Sequence, residues 1–174
     1  MNERIYPVFF CIACAGLLIS GCATKKIIKK TVSADPATAQ ASPGYKDLDP
    51  EESSARGKQF ERSSELSTIY FEYDKYKLSE AAKNAMQKNA EWIKSNHELE
   101  IQIEGHCDER GTTEYNLALG QSRAVAVRNY YKALGIKTGR MFTISYGEEK
   151  PACYESTEKC WHLNRRAETL IINK

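Results

Sequence analysis

Two kinds of apolar pattern alternate along residues 65–174, and this alternation restricts the fold more than any other feature of the sequence. Ser79 can cap a helix that runs to about residue 95, and a second helical pattern starts near residue 113 and ends at Gly135. Stretches rich in aromatic and β-branched residues, one of them strictly alternating, predict strands at residues 68–74, 99–105, 141–147 and 166–172. The order predicts one α+β domain, with two main helices packed on one face of a small mixed four-stranded sheet.

The N-terminus has the pattern of an export signal. Residues 8–19 form an unbroken apolar run of 12 residues, too short to span a bilayer but long enough for a secretory signal. The following "LISGC" resembles a bacterial lipobox, which predicts a signal peptide over residues 1–21 and a lipid on Cys22. The alternative is an ordinary cleavage site with an incidental cysteine. Because Ala23 and not aspartate follows Cys22, the resemblance implies export to the outer membrane.

The segment between the signal peptide and the domain, residues 22–64, shows neither the apolar period of a helix nor that of a strand. Prolines and small polar residues recur in it, which predicts a flexible tether with a root-mean-square span of about 35 Å. The "KKIIKK" run at residues 25–30 has two interpretations, contact with anionic headgroups or merely a soluble start of the tether.

Charge is nearly balanced over the whole chain, with 25 Lys+Arg against 23 Asp+Glu. Nucleic acid binding requires a large basic face. The composition therefore gives no reason to expect a nucleic acid partner.

The stretch "EGHCDERG", residues 104–111, gathers residue types that many enzymes use. His106 and Cys107 are adjacent, however, and adjacent residues do not easily aim at one tetrahedral ion. His97 and His162 lack metal-ligand spacing. A cysteine nucleophile needs a base placed beside it in space, and the adjacency of His106 and Cys107 in the sequence does not indicate this. We therefore expect no metal, no cofactor and no catalysis, and keep as the alternative a periplasmic thiol or metal-dependent hydrolase centred on His106 and Cys107.

Three charged residues lie where strand ends and a helix can meet. Asp74 ends the first predicted strand, Asp108 follows the second, and Arg123 lies within the second helix. A guanidinium suits a carboxylate and paired aspartates suit an ammonium, so together they could bind a zwitterion at a pocket rim. The alternative is an internal Asp–Arg salt bridge with solvated aspartates.

Four motifs give the chain a family resemblance. They are GHxDxxG from Gly105, N-x-x-L followed by R-A at fixed spacing, S-Y-G-x-x-x-P, and N-R-R. With "IYFEYDKYKLSEAAK" they resemble the peptidoglycan-associated lipoproteins, within the larger family of domains similar to the C-terminal part of outer membrane protein A. The resemblance covers about residues 66–172.

The resemblance implies a non-catalytic domain that binds the diaminopimelate side chain of peptidoglycan. Carried over by position, Asp74, Asp108 and Arg123 would be the charged contacts, and Tyr73 and Leu119 would line the pocket. It also implies a periplasmic propeller protein similar to TolB as partner, in a system that constricts the outer membrane during division. Peptidoglycan and outer-membrane lipid would be the other two partners.

Three cysteines follow the predicted lipidation site, and an odd number leaves at least one unpaired within a monomer. Cys153 and Cys160 close the shortest loop and lie outside the predicted strands and helices. We therefore predict a disulfide between them, which stabilises by roughly 2.5 kcal/mol in the chain-entropy model. Cys107 stands where the family that this chain resembles commonly has alanine or threonine, so a small side chain is kept.

Overall fold

The computed structural model describes residues 58–172, which contain five strands and three helices. The strands are β1 Phe60–Arg62, β2 Ile69–Tyr70, β3 Ile101–His106, β4 Met141–Gly147 and β5 Arg166–Ile172. In the sheet, β3 and β4 run parallel, while β5 is antiparallel to its neighbours β1, β2 and β3. The spatial order is β1-β5-β3-β4, with β2 also pairing with β5.

The α-helices are α1 Glu80–Ser95, α2 Thr113–Ala133 and α3 Glu158–Asn164. Each begins after a residue whose side-chain oxygen accepts a backbone N–H of the first turn, the usual way to satisfy a donor left without an intrahelical partner. Ser79, Thr112 and Thr157 fill this position for α1, α2 and α3 respectively. None of the helices in residues 58–172 is long and apolar enough to cross a bilayer.

The core lies between the sheet and the two long helices. Alternation along β3 puts Ile101 and Ile103 in this core, while the side chains between them point to the other face of the sheet. The helices contribute positions three or four apart, as a helical apolar stripe requires. These are Met86, Ala90 and Ile93 from α1 and Ala124, Val127 and Tyr131 from α2.

Helix α2 approaches β3 and β4 closely at a pair of glycines. A Cβ on Gly105 would collide with the backbone carbonyl of Gly120, and a Cβ on Gly120 would lie 2.9 Å from the carbonyl oxygen of Gly105. The hydroxyl of Ser145 donates to the carbonyl of Leu117 at 2.7 Å, which fixes β4 to the same turn of the helix. This contact sets the N-terminal half of α2 beside the end of β3.

The structure differs from the prediction in its short elements. The predicted strand at residues 68–74 is a strand only at Ile69–Tyr70, because its partner β5 begins at Arg166, the residue that pairs with Tyr70. The amide of Phe71 still donates to the carbonyl of Arg165, at 2.9 Å. The sheet has five strands and not four, since Phe60–Arg62, placed in the tether, pairs with Leu170–Ile172. Cys160, expected to lie outside the strands and helices, lies within α3. The predicted signal peptide and Cys22 lie outside the described residues.

Candidate ligand-binding pocket

A pocket of about 440 Å³ opens where the loop after β2, the loop after β3 and the first half of α2 meet. All five residues predicted to contact a ligand line it, although they come from three separate parts of the chain. The lining residues are Tyr73, Asp74, Cys107, Asp108, Arg110, Gly111, Thr112, Tyr115, Asn116, Leu119, Arg123 and Arg165.

Asp108 is buried beside two guanidinium groups. Its carboxylate accepts a hydrogen bond from Arg110 at 2.7 Å and from Arg165 at 3.2 Å, and the side chain is 4% exposed. Burial by itself raises the pKa of this carboxyl, but the hydrogen bonds from both arginines outweigh burial, so the pKa lies below its usual value. Asp108 is therefore an anion at neutral pH, held in place by cations of the protein itself.

Arg123 is 1% exposed and Asp108 4%, so the prediction that both lie at a pocket rim is wrong. Its guanidinium donates to the carbonyl of His106 at 2.7 Å, with further hydrogen bonds to the carbonyls of Lys75 at 2.9 Å and Glu72 at 3.3 Å. The alternative of an Asp108–Arg123 salt bridge is also absent among the described ion pairs, in which Asp108 pairs with two other arginines. Arg123 thus ties α2 to the end of β3 and to the loop after β2, while its charge faces the pocket.

Asp74 and Tyr73 form the wall that follows β2. Asp74 has a left-handed backbone conformation, with φ of 57°, and its carboxylate accepts a hydrogen bond from the hydroxyl of Tyr115. This hydrogen bond is the main cause, and burial the second, that raises the pKa of Tyr115 to about 12. Tyr73 is 54% exposed, and its ring lies 3.9 Å from the guanidinium carbon of Arg110.

Two arginines of this pocket were not predicted from the sequence. Arg110 lies within "EGHCDERG", and Arg165 is the first arginine of the N-R-R motif. The signal that could have identified them as pocket residues was their position within these two motifs. Spacing could not reveal that residues 55 positions apart hold the same carboxylate, because that contact exists only in the folded chain.

His106 and Cys107 face different parts of the molecule. The pocket lining includes Cys107, whereas the ring of His106 stacks on Tyr146, with centroids 5.7 Å apart. Burial lowers the pKa of His106 and raises that of the Cys107 thiol to about 11. The thiol is therefore protonated at neutral pH and a weak nucleophile. Within residues 58–172 no cluster of three or more His, Cys, Asp or Glu could hold a metal ion.

The two other cysteines of the described chain, Cys153 and Cys160, are joined by a disulfide, with Cα atoms 5.3 Å apart. Cys107 is a free thiol. The thiol of Cys107 donates a hydrogen bond to the carbonyl oxygen of Asn116 at 3.2 Å, so this small side chain packs against α2.

The sheet order, the two long helices and this pocket define a domain of the outer membrane protein A type. The family model described as "OmpA family" matches residues 70–165, and the chain belongs to this family. Proteins named peptidoglycan-associated lipoprotein are among its relatives. That of Brucella melitensis is 46% identical over 103 residues, which are 59% of this chain and 61% of the relative. That of Pasteurella multocida is 43% identical over 100 residues, 58% of this chain and 67% of the relative.

Solved structures agree with this assignment. The crystal structure of the peptidoglycan-associated lipoprotein from Burkholderia pseudomallei is 41% identical, with a TM-score of 0.58 over 60% of this chain and 88% of that one. The C-terminal domain of Helicobacter pylori MotB shares the fold at 17% identity, with a TM-score of 0.59 over 63% of this chain and 86% of that one. The match spans about three fifths, 61%, of the Brucella relative's length.

Proposed function

We propose that this protein is an outer-membrane lipoprotein that binds peptidoglycan without catalysis and tethers the outer membrane to the cell wall. The observation that carries the proposal is the convergence of Asp74, Asp108, Arg123, Tyr73 and Leu119 on one pocket. The names of the relatives from Brucella melitensis and Pasteurella multocida support peptidoglycan as the ligand.

The charges of the pocket suit a zwitterion such as the side-chain end of diaminopimelate. The carboxylates of Asp74 and Asp108 can accept hydrogen bonds from an ammonium group, since each already lies on the pocket wall. The guanidinium of Arg123 supplies positive charge for a carboxylate, and Arg110 and Arg165 line the same pocket.

We further infer that Cys22 carries the lipid and that the tether lets the domain reach the wall. By resemblance, a TolB-like periplasmic propeller protein is a partner, and the protein acts in envelope constriction during cell division. Acyl chains contribute about 0.8 kcal/mol of membrane-binding free energy per buried CH₂, so several chains on one cysteine make a firm anchor.

The proposal is tested by sedimenting the detergent-purified protein with purified sacculi. A soluble peptide that carries meso-diaminopimelate should displace the protein, whereas the same peptide with lysine at that position, which lacks the second carboxylate, should compete poorly. Changing the ligand leaves the protein's stability untouched, so this comparison separates recognition from folding. Equal competition by both peptides would contradict a zwitterion site.

A matched pair of variants tests the pocket from the protein side. Asp108→Asn should lose about 2–5 kcal/mol of binding free energy, mostly through faster release. Glu91→Gln makes the same chemical change on the exposed side of α1 and should bind like the wild type. Cys107→Ala should also keep its ligand, whereas a thiol enzyme would lose its activity with that sulfur.

A further inference from the structure

Helix α3 and the segment before it form one closed unit beside the pocket. The disulfide joins Cys153 to Cys160, which lies buried within α3. The side chain of Asn164 fastens the end of the helix to the start of the segment, since its amide donates to the carbonyl of Cys153 at 2.7 Å. Its oxygen accepts from the amide of Ala152 at 2.8 Å. Two independent links, one covalent, therefore fix the shape of residues 152–164.

This unit reaches the residue after Asp108. Glu109 accepts a hydrogen bond from the indole N–H of Trp161 at 3.1 Å and from the hydroxyl of Ser156 at 2.7 Å. Both donors belong to residues 152–164, and together they lower the pKa of the Glu109 carboxyl, with Ser156 the larger cause. The loop after β3 is thus fastened to the unit at a position adjacent to the pocket acid.

The unit also orients both cations that hold Asp108. The guanidinium carbon of Arg110 lies 4.2 Å from the ring of Trp161, in addition to its contact with the Tyr73 ring. Glu158, in the first turn of α3, pairs with Arg165 at 2.6 Å and lies 3.8 Å from Arg110. Neither Trp161 nor Glu158 lines the pocket itself, so α3 acts on the pocket through the arginines.

We propose that the disulfide-closed unit of residues 152–164 is a positioning clamp for the ligand pocket, and that Trp161 is the positioning residue through which it acts. The clamp aligns Arg110, which in turn sets the direction of the Asp108 carboxylate. Ligand affinity should therefore depend on an intact disulfide, although neither sulfur contacts the pocket. This inference rests on the proposed ligand-binding function.

Opening the clamp needs a reductant of the dithiol class. One thiolate of dithiothreitol attacks a sulfur of the Cys153–Cys160 bond, which forms a mixed disulfide and releases the other cysteine as a thiolate. The second thiol of dithiothreitol then attacks the mixed disulfide and releases the remaining cysteine. The protein gains two electrons and two protons as two thiols, and dithiothreitol becomes its cyclic disulfide. Cys107 takes no part, because its thiol is buried and free in either state.

The first test compares oxidised and reduced wild-type protein for binding of the meso-diaminopimelate peptide by calorimetry, with circular dichroism recorded on the same samples. We expect reduction to weaken binding about tenfold, the loss expected when the cation–π contact between Arg110 and Trp161 and the hydrogen bond from Trp161 to Glu109 both loosen, while the helix and sheet signals persist. The Cys153→Ser/Cys160→Ser variant should match the reduced wild type and respond no further to dithiothreitol. Equal affinity of folded oxidised and reduced protein would overturn the clamp.

The second test addresses Trp161 in the oxidised protein. Trp161→Ala should weaken binding about tenfold, whereas Trp161→Phe keeps an aromatic ring for Arg110 and should recover most of the affinity. Tyr154→Ala removes an 84% exposed ring from the same disulfide loop and should bind like the wild type. Since the chain has two tryptophans, a Trp92→Phe background isolates the fluorescence of Trp161, which should change both on peptide binding and on reduction.

The two hypotheses fail in different ways. If oxidised wild-type protein does not bind the peptide, the proposed function is wrong. If it binds and Trp161→Ala binds equally well, the clamp is wrong while the function stands. Should the double serine variant unfold, the Trp161 variants decide the question through affinity and melting temperature together. A Trp161→Ala protein that melts like the wild type but binds about tenfold more weakly supports the clamp, and an equal loss of affinity in Trp161→Ala and Trp161→Phe overturns it.

Discussion

At the residue scale, Arg123 combines two roles that are usually separate. Three backbone carbonyls accept from its guanidinium, so the side chain joins α2 to the loop after β2 and to the last residue of β3. Burial lowers its pKa, but an arginine keeps its proton, so the pocket always contains this charge. The group that would attract a ligand carboxylate is therefore also a connector of the fold.

Because Arg123 has both roles, we expect Arg123→Ala to lower the stability of the fold as well as the affinity for the ligand. Truncation leaves buried carbonyl oxygens without their donor, and we expect a loss of about 3 kcal/mol in the free energy of unfolding. Arg123→Lys keeps the charge but cannot donate to all three carbonyls in the same geometry, so its free energy of unfolding should lie between those of the wild type and Arg123→Ala. Urea unfolding measures both, with Lys132→Ala on the exposed side of α2 as the control. Wild-type stability of Arg123→Ala would contradict these contacts.

Asp108 gives a prediction about pH. Its folded pKa lies below the usual value of about 4, so the ionised group stabilises the fold above that pH, and the contribution is lost as pH falls through the folded pKa. Asp108→Asn lacks this contribution. The melting temperature of the wild type should thus exceed that of the variant by several degrees at pH 6, and the two should converge below about pH 4. A difference that stays constant down to pH 3 would contradict the ionised pair.

At the element scale, the long helices and the strands β3, β4 and β5 could be predicted from the sequence because their signals are local. Apolar periods extend over many residues, and Ser79 and Gly135 mark helix ends. The short elements have no such signal. Phe60–Arg62 is a strand because β5 offers it an open edge and Phe142 contacts the Phe60 ring at a centroid distance of 6.2 Å. Only the folded sheet provides either partner.

The glycine contact between α2 and β3 gives a prediction for packing at the element scale. Gly105→Ala should lower the free energy of unfolding by about 2–4 kcal/mol, because the added methyl meets a backbone carbonyl that cannot rotate away. Gly120→Ala should also destabilise, since its methyl meets both Ser145 and the strand backbone. Gly139→Ala is the matched control, with nothing within 4 Å of its Cβ. Equal melting temperatures for the three variants would contradict the close approach.

At the scale of the whole molecule, the pocket was predictable mainly through family resemblance. Spacing alone left an internal salt bridge as an alternative to a zwitterion site. Motif positions identified five lining residues, all of which the fold brings together. The burial of Arg123 and the cations around Asp108 depend on contacts between distant segments, including α3, which had no recognised sequence signal.

A tether between two layers needs both of its ends, and this makes the proposed function testable in cells. Cys22→Ala should abolish incorporation of labelled palmitate and release the protein from the outer membrane, while the purified variant still sediments with sacculi. Asp108→Asn should show the reverse pattern, with a lipidated protein in the outer membrane that sediments poorly. Normal palmitate labelling of Cys22→Ala would contradict the anchor.

Because the two attachments act in series, losing either one disconnects the membrane from the wall completely. The two single variants should therefore release outer-membrane vesicles to the same extent, measured as outer-membrane protein in the culture medium, and the double variant should release no more than either. Glu91→Gln should release as little as the wild type, since it keeps both attachments. A double variant that releases clearly more than each single variant would mean that the anchor and the pocket support the envelope by separate routes, which a simple tether excludes.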